Sequence, residues 1–264
     1  MAIFKYEMRQ LRSYTFWWGL AVAVLIFIML PTYIGFMVSG ALNFNAESNN
    51  SIFDMLGLDI YVLASPVGTF GFLTAFFVIA AGINGMFLGL KTFTKETVGK
   101  SAEFIYTKPF KRGKYFRAKV LSAVLSAAII GVCYYASSIL SARINIAGGF
   151  DFKAFSLIAL SFTLIELFFV LFGAFVGAIY SKIRTPLLAS SGVVFMFYVL
   201  SSFAGKVKAD AIKYVTPFSY FGASGIVNNG GYTTGYLIAF VILCTVFTVA
   251  GFSVFVKKDV SFIS

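Results

Sequence analysis

Few residues in this sequence have side chains that could carry out chemistry. The chain of 264 residues contains no His, which removes the commonest general base and the commonest metal ligand. Glu166 is the only acid or base within the long apolar stretches, and Cys133 and Cys244 lack the spacing of a redox or metal motif. We therefore predict no catalytic residue, no metal site and no cofactor site on this chain.

The tripeptide Gly99-Lys100-Ser101 matches the end of the phosphate-binding loop of ATPases. That motif needs a glycine five residues before Gly99, where this sequence has Thr94. The loop therefore cannot cradle a nucleotide, and any energy for transport must come from a partner chain or from an ion gradient.

The composition predicts an all-α integral membrane protein. Hydrophobic residues make up 59% of the chain and charged residues 12%, with a mean hydropathy of +0.90. A membrane-crossing helix needs about 20 apolar residues, and six stretches have a suitable length. They are Phe16 to Val38, Val67 to Leu90, Val120 to Leu140, Leu157 to Ile179, Leu187 to Phe203 and Leu237 to Val256.

The distribution of basic residues predicts the orientation of these six spans. With the N-terminus inside, 16 of the 21 Lys and Arg residues fall in cytoplasmic segments and five fall outside. This asymmetry follows the positive-inside rule and places both termini in the cytoplasm. The net charge of +11 is thereby explained by anionic lipid, and we expect no nucleic-acid partner.

Two cytoplasmic segments have helical, amphipathic patterns. In residues 1–14, Phe4, Met8 and Leu11 form an apolar stripe, which predicts an interfacial elbow helix before the first span. In residues 91–119, Val98, Ala102 and Ile105 repeat this spacing beside charged residues, and a helix there must end before Pro109. The second stripe could lie on lipid, but its acidic flanks favour a protein partner.

Glu166 allows two interpretations. A charge at mid-membrane costs about 2.5 to 3.5 kcal/mol on insertion scales. Glu166 could couple transport to protons or contact substrate, or it could be a neutral acid that is hydrogen-bonded to a Ser, Thr or Tyr of another span. The second interpretation is the more economical one.

Other spans carry patterns typical of helix packing. Gly82, Gly85 and Gly89, and likewise Gly173 and Gly177, permit close approach of helices, either within the bundle or at a seam between two subunits. In the fifth span, a mixed polar and aromatic face is formed at positions i, i+4, i+7 and i+11 by Ser191, Phe195, Tyr198 and Ser202. The outer segment 204–236 is too apolar for a free loop, and we expect short re-entrant or interfacial helices there.

The cytoplasmic segment resembles the loop after the second span in permeases of type-2 ATP-binding-cassette exporters. The resemblance rests on the order of acidic, hydroxyl, apolar, Lys-Pro and basic residues. It also includes Lys213 to Phe221 before the last span and the six-span organisation. The residues that carry it in the loop are Glu96, Ser101, Glu103, Phe104, Ile105, Lys108, Pro109, Arg112 and Lys119.

The resemblance implies an exporter subunit in a bacterial-type cytoplasmic membrane. Two such permeases pair, and two separate ATPase subunits bind below them and carry the ATP and Mg²⁺. The helix from Glu96 to Thr107 would be the coupling helix, and the second and fifth spans would line the path. The expected coupling residues are Glu96, Lys100, Ser101, Glu103, Phe104, Ile105, Pro109 and Arg112, and the candidate pathway residues are Asn84, Glu166, Ser191, Tyr198 and Ser202.

The resemblance also bears on the cargo and on alternatives. It implies a non-enzymatic transport subunit that exports an amphipathic or hydrophobic substrate, with antimicrobial-type peptides as the first candidate. The alternative from another class is an ion-coupled carrier or channel that uses Glu166. No inverted repeat is visible between the halves of the sequence, which counts against a carrier.

Overall fold

The computed structural model describes residues 2–38, 65–99, 112–146, 149–207 and 213–257. This part of the chain contains seven α-helices. Six of them are long and apolar enough to cross a membrane, so the predicted all-α membrane fold is confirmed. The helices are α1 (Ala2–Val38), α2 (Pro66–Val98), α3 (Arg112–Asn145), α4 (Phe152–Ile179), α5 (Pro186–Val207), α6 (Ala223–Asn229) and α7 (Thr234–Lys257).

The helices begin where local chemistry favours a start. Pro66 and Pro186 are the first residues of α2 and α5, where a missing N–H costs little. The Ser65 hydroxyl accepts a hydrogen bond from the backbone N–H of Gly68 at 3.0 Å. At the start of α4, the Asp151 carboxylate accepts hydrogen bonds from the backbone N–H groups of Lys153 and Ala154 at 3.0 and 3.2 Å. These caps satisfy donors that the helices themselves cannot.

The first helix differs from the prediction, because the elbow and the first span form one continuous helix. No Gly or Pro lies between Ala2 and Trp18 to end the helix there. The amphipathic pattern is nevertheless present: Leu11 is buried, whereas Lys5 and Arg9 are exposed. The position of this helix end relative to lipid stays a prediction.

A proline within α1 is accommodated by a hydroxyl of α3. Pro31 has no N–H to donate to the carbonyl of Phe27, four residues earlier. The Ser141 hydroxyl donates to that carbonyl at 3.1 Å. The contact supplies the missing donor in apolar surroundings and fixes the packing of α1 on α3.

The glycines of the second and fourth spans lie between α2 and α4 of the same chain. A Cβ atom on Gly85 would collide with the backbone carbonyl of Glu166, and one on Gly89 would collide with that of Val170. Gly173 faces the carbonyl of Met86 in the same way. The glycine pattern therefore reflects close packing within one subunit.

The outer segment contains a 3-10 turn at Pro217–Ser219 followed by α6. Ile226 of α6 is buried against the core, and Ala223 packs directly on Gly71 of α2. The sequence predicted short helices in this segment, and the structure has these two. Their depth in the membrane stays a prediction.

The fifth and last spans show the least burial among the six. Many of their apolar side chains point away from the bundle and are exposed in the described part of the chain. They are available to lipid or to a second subunit, and they include Leu187, Leu188, Phe195, Met196, Phe203, Ile238, Val241, Ile242, Val246 and Val249.

Candidate functional site

Two of the predicted pathway residues line one cavity. Tyr198 and Ser202 of α5 face a partly open cavity of about 460 Å³, whose other walls are residues of α2, α4 and the segment 213–236. Thr74 and Val78 of α2 form the opposite wall. The volume lies within the range of about 300 to 1,000 Å³ that is usual for small-ligand sites.

The cavity wall alternates aromatic rings with hydroxyl groups, many of which are already bonded to the protein. Ser201 of α5 and Ser219 share a hydrogen bond of 2.7 Å. The Tyr220 hydroxyl donates to the carbonyl of Tyr214. Tyr232 donates to the carbonyl of Leu157 at 2.6 Å. The bonds of Ser219 and Tyr232 tie the outer segment to α5 and α4, and the bond of Tyr220 holds the segment itself together, so that the cavity has a defined shape.

Two tyrosines of this wall, Tyr220 and Tyr232, stay neutral at physiological pH. Burial raises the pKa of Tyr220 to about 12, with smaller contributions from Cys244 and Tyr236. Burial likewise raises the pKa of Tyr232 to about 12, although its contact with Ser161 opposes the shift. Lys213 is the basic residue of the described lining. The cavity is thus suited to an amphipathic ligand whose polar part is neutral or anionic.

Asn84 and Glu166 lie together but away from this cavity. The Tyr14 hydroxyl donates to Asn84 Oδ1, and Asn84 Nδ2 donates to Glu166 Oε1, so that α1, α2 and α4 meet at one polar contact. Glu166 is fully buried, and its Oε2 has no hydrogen-bond partner among the described residues. The partner predicted for Glu166 was a hydroxyl; the structure shows the amide of Asn84 instead.

Ser191 lies apart from both groups. It is near the start of α5, where its hydroxyl donates to the carbonyl of Leu188 at 3.0 Å. The regular spacing along α5 placed Ser191 with Tyr198 and Ser202 on one face, but the outer segment closes over only the later turns of that face.

Most of the predicted coupling residues, namely Lys100, Ser101, Glu103, Phe104, Ile105 and Pro109, lie outside the described residues. Glu96 is in the last turn of α2, which continues through the predicted span boundary as far as Val98. It therefore does not begin a separate helix. Arg112 begins α3 and donates to the carbonyl of Val256 at 3.5 Å. A role for these residues in docking an ATPase stays a prediction.

Glu96 belongs instead to a buried group of charges that we call the inner ion cluster, formed by Glu7, Lys95, Glu96 and Lys119. Lys119 Nζ lies 2.6 Å from Glu96 Oε1 and 3.4 Å from Glu7 Oε1. It also donates to the carbonyl of Thr92 at 2.7 Å. Lys95 contacts the other oxygen of Glu7. Two acids and two lysines from α1, α2 and α3 thus meet at one place, where Glu7, Glu96 and Lys119 are buried and Lys95 is partly exposed.

Sequence reasoning missed this cluster, although one signal was available. Glu7 lies between Phe4 and Leu11 on the apolar stripe of the first turns, where an acid needs a buried partner. Lys95 and Lys119 were counted as ordinary basic residues of the cytoplasmic segment. Only the packing of α1 on α2 and α3 shows which lysines reach Glu7.

One comparison with known proteins identifies a family for this chain. A family model described as "ABC-2 family transporter protein" matches residues 1–260. A search of curated proteins gives no significant match. Because the family match spans nearly the whole chain and the described helices supply six candidate spans, the chain belongs to the ABC-2 transporter family, as a membrane permease.

Proposed function

We propose that this permease is half of the membrane part of an ATP-driven exporter. It pairs with a second permease chain and docks two ATPase subunits through the segment 91–119, with Glu103 at the contact. The match of the family over residues 1–260 carries this proposal, because that family consists of transporter membrane subunits. The exposed apolar faces of α5 and α7 provide surface for the second chain.

The cavity beside α5 supports an amphipathic cargo. Rings such as Phe218 and Tyr236 can contact apolar side chains, while Ser202 and Lys213 can contact polar groups. A volume of about 460 Å³ holds a few side chains at a time. A peptide would therefore pass the site as a segment, and antimicrobial-type peptides remain our first candidate.

The test is mass spectrometry of the proteins that co-purify with the tagged chain from its native membranes. We expect a stoichiometric ATPase, and we expect Glu103→Arg to remove it because the change reverses the charge at the proposed contact. Lys153→Glu is the matched control, since it reverses an exposed charge at the predicted outer side. Retention of the ATPase by Glu103→Arg, or its loss from both variants, would contradict this assignment of the contact.

Proton- or ion-driven transport through Glu166 is the second candidate, and a specific observation favours it. Glu166 is fully buried, and one of its oxygens lacks a hydrogen-bond partner in the described part of the chain. This candidate predicts that the purified chain moves ions across liposomes without an ATPase. If the chain purifies without an ATPase and moves ions across liposomes by itself, the exporter proposal fails.

A further inference from the structure

The inner ion cluster lies where three helices meet the predicted cytoplasmic segment. Residues 100–111 join the end of α2 to the start of α3, so any partner that binds them acts on these two helix ends. Glu96 and Lys119 join the two ends directly, with 2.6 Å between Oε1 and Nζ. A force on the connecting residues is therefore shared by both helices.

The first helix has few other links to α2 at this level. It packs mainly along α3, where Ser137 and Ser141 donate to the carbonyls of Ala23 and Phe27. At this end of α1, the hydrogen bonds between α1 and α2 that involve described residues are those that Lys95 Nζ donates to Glu7 and Gln10. Glu7 therefore contacts both neighbours at this level, α2 through Lys95 and α3 through Lys119.

The chemistry of the cluster suits a mechanical connection. Buried ion pairs keep their stability only in a narrow geometry, because a small displacement leaves each charge without its partner. Lys119 is fully buried and Glu7 is 1% exposed, so water cannot replace the lost contacts. The two acids and two lysines balance in charge. Moving one helix end without the others would leave a buried charge unpaired.

We propose that Glu7 and Lys119 are positioning residues that make the inner ends of α1, α2 and α3 move as one body. ATPase motion that reaches residues 100–111 would then also displace α1. This inference rests on the proposed function for the source of the motion, but the connection itself can be tested in the permease alone.

The first measurement uses the full chain alone in lipid nanodiscs, with Cys133 and Cys244 replaced by Ser. Spin labels at Arg12→Cys in α1 and Lys114→Cys in α3 report the distance between these helices, and dilution with unlabelled chain suppresses signals between subunits. We expect a narrow distance distribution that becomes broad in Glu7→Gln. The matched control Lys5→Gln removes an exposed charge on the same helix and should leave the distribution narrow.

The second measurement uses the assembly with its ATPase subunits and a single label at Arg12→Cys. Nucleotide should shift the distance between the labels of the two permease chains, and Glu7→Gln should reduce this shift about fivefold or more while the ATPase stays bound. Lys119→Arg keeps the charge and should retain the shift, whereas Lys119→Met should lose it. A merely structural role would not distinguish these variants at equal amounts of folded protein.

Equal distributions for Glu7→Gln and Lys5→Gln in the isolated chain would overturn the inference, and so would an unchanged nucleotide shift in Glu7→Gln. If the wild-type chain recruits no ATPase, the proposed function fails. The first measurement then decides by itself whether the three helix ends form one body, so the two failures are distinguishable. Should Lys119→Met not fold, Glu7→Gln still decides, because Gln retains the shape of Glu.

Discussion

The structure buries acidic side chains at two levels of the bundle, and it treats them differently. In the inner ion cluster, Glu7 and Glu96 each contact a lysine amine within 4 Å. At the second level, the hydrogen-bond partner that the Glu166 carboxyl group has among the described residues is the neutral amide of Asn84. Lys91 lies over the ring of Tyr14, and the Tyr14 hydroxyl donates to Asn84. This lysine is therefore connected to Glu166 only through two other side chains.

The difference indicates which buried carboxyl groups are stabilised as charged carboxylates and which are not. A buried carboxylate is tolerated when a cation is held against it, as at the helix ends near Lys119. A fully buried carboxyl group whose partner is a neutral amide costs least as the neutral acid. We therefore expect the inner ion cluster to depend on charge and the site of Glu166 to depend on shape.

Removing the central cation should give the largest loss. Lys119→Met leaves Glu7 and Glu96 buried without their shared partner, which should cost about 3 to 5 kcal/mol. The midpoint of thermal unfolding in detergent measures this loss. Lys114→Met, which removes an exposed lysine of the same helix, should change the midpoint little. Equal losses in the two variants would show that the inner ion cluster does not depend on charge.

Widening the contact that holds Glu166 should give the next largest effect. Gly85→Ala places a methyl group against the backbone carbonyl of Glu166, so α2 and α4 must separate. Overpacking of this kind should cost about 1 to 3 kcal/mol. Gly192→Ala is the control, because a Cβ on Gly192 meets nothing within 4 Å and Ala favours a helix. A higher midpoint for Gly85→Ala would contradict close packing at this seam.

The sequence predicts the features of this structure that depend on the length of an apolar stretch. It does not predict those that depend on which charged side chains pair in space. The six spans were found because each needs about 20 apolar residues. The second and third spans were predicted to end at Leu90 and to begin at Val120, because Lys95, Glu96 and Lys119 are charged and the sequence does not show that Glu7 lies beside them. The predicted elbow helix is continuous with the first span, because a change in polarity alone does not end a helix.

The candidate site was predictable to a similar extent. Tyr198 and Ser202 were identified by their spacing on α5 and do face the cavity. Ser191 has the same periodicity but lies beyond the segment that closes the cavity. Periodicity fixes the face of a helix, whereas the depth of a site along that face depends on contacts such as Ser201 with Ser219.

Removing the amide between Tyr14 and Glu166 should have a smaller effect than either change above. Asn84→Leu keeps the volume approximately but leaves the Tyr14 hydroxyl and Glu166 Oε1 without the partner they share. The loss should be about 1 to 2 kcal/mol. Thr74→Val is a suitable comparison, since it breaks one buried bond of 2.9 Å to Tyr134. A midpoint unchanged in Asn84→Leu would mean that this contact adds nothing.

Neutralising Glu166 should have the smallest effect, and it also separates the two candidate functions. Gln has the shape of the neutral acid and can still accept from Asn84, so Glu166→Gln should cost less than about 1 kcal/mol. If the chain is an ATP-driven exporter, the variant should keep its ATPase partner and near-normal ATP-dependent transport. If Glu166 carries protons, liposome flux that responds to a pH gradient should vanish in Glu166→Gln, while the unfolding midpoint stays at the wild-type value. The pairing of unchanged stability with lost flux would identify Glu166 as functional, because a packing role cannot produce it.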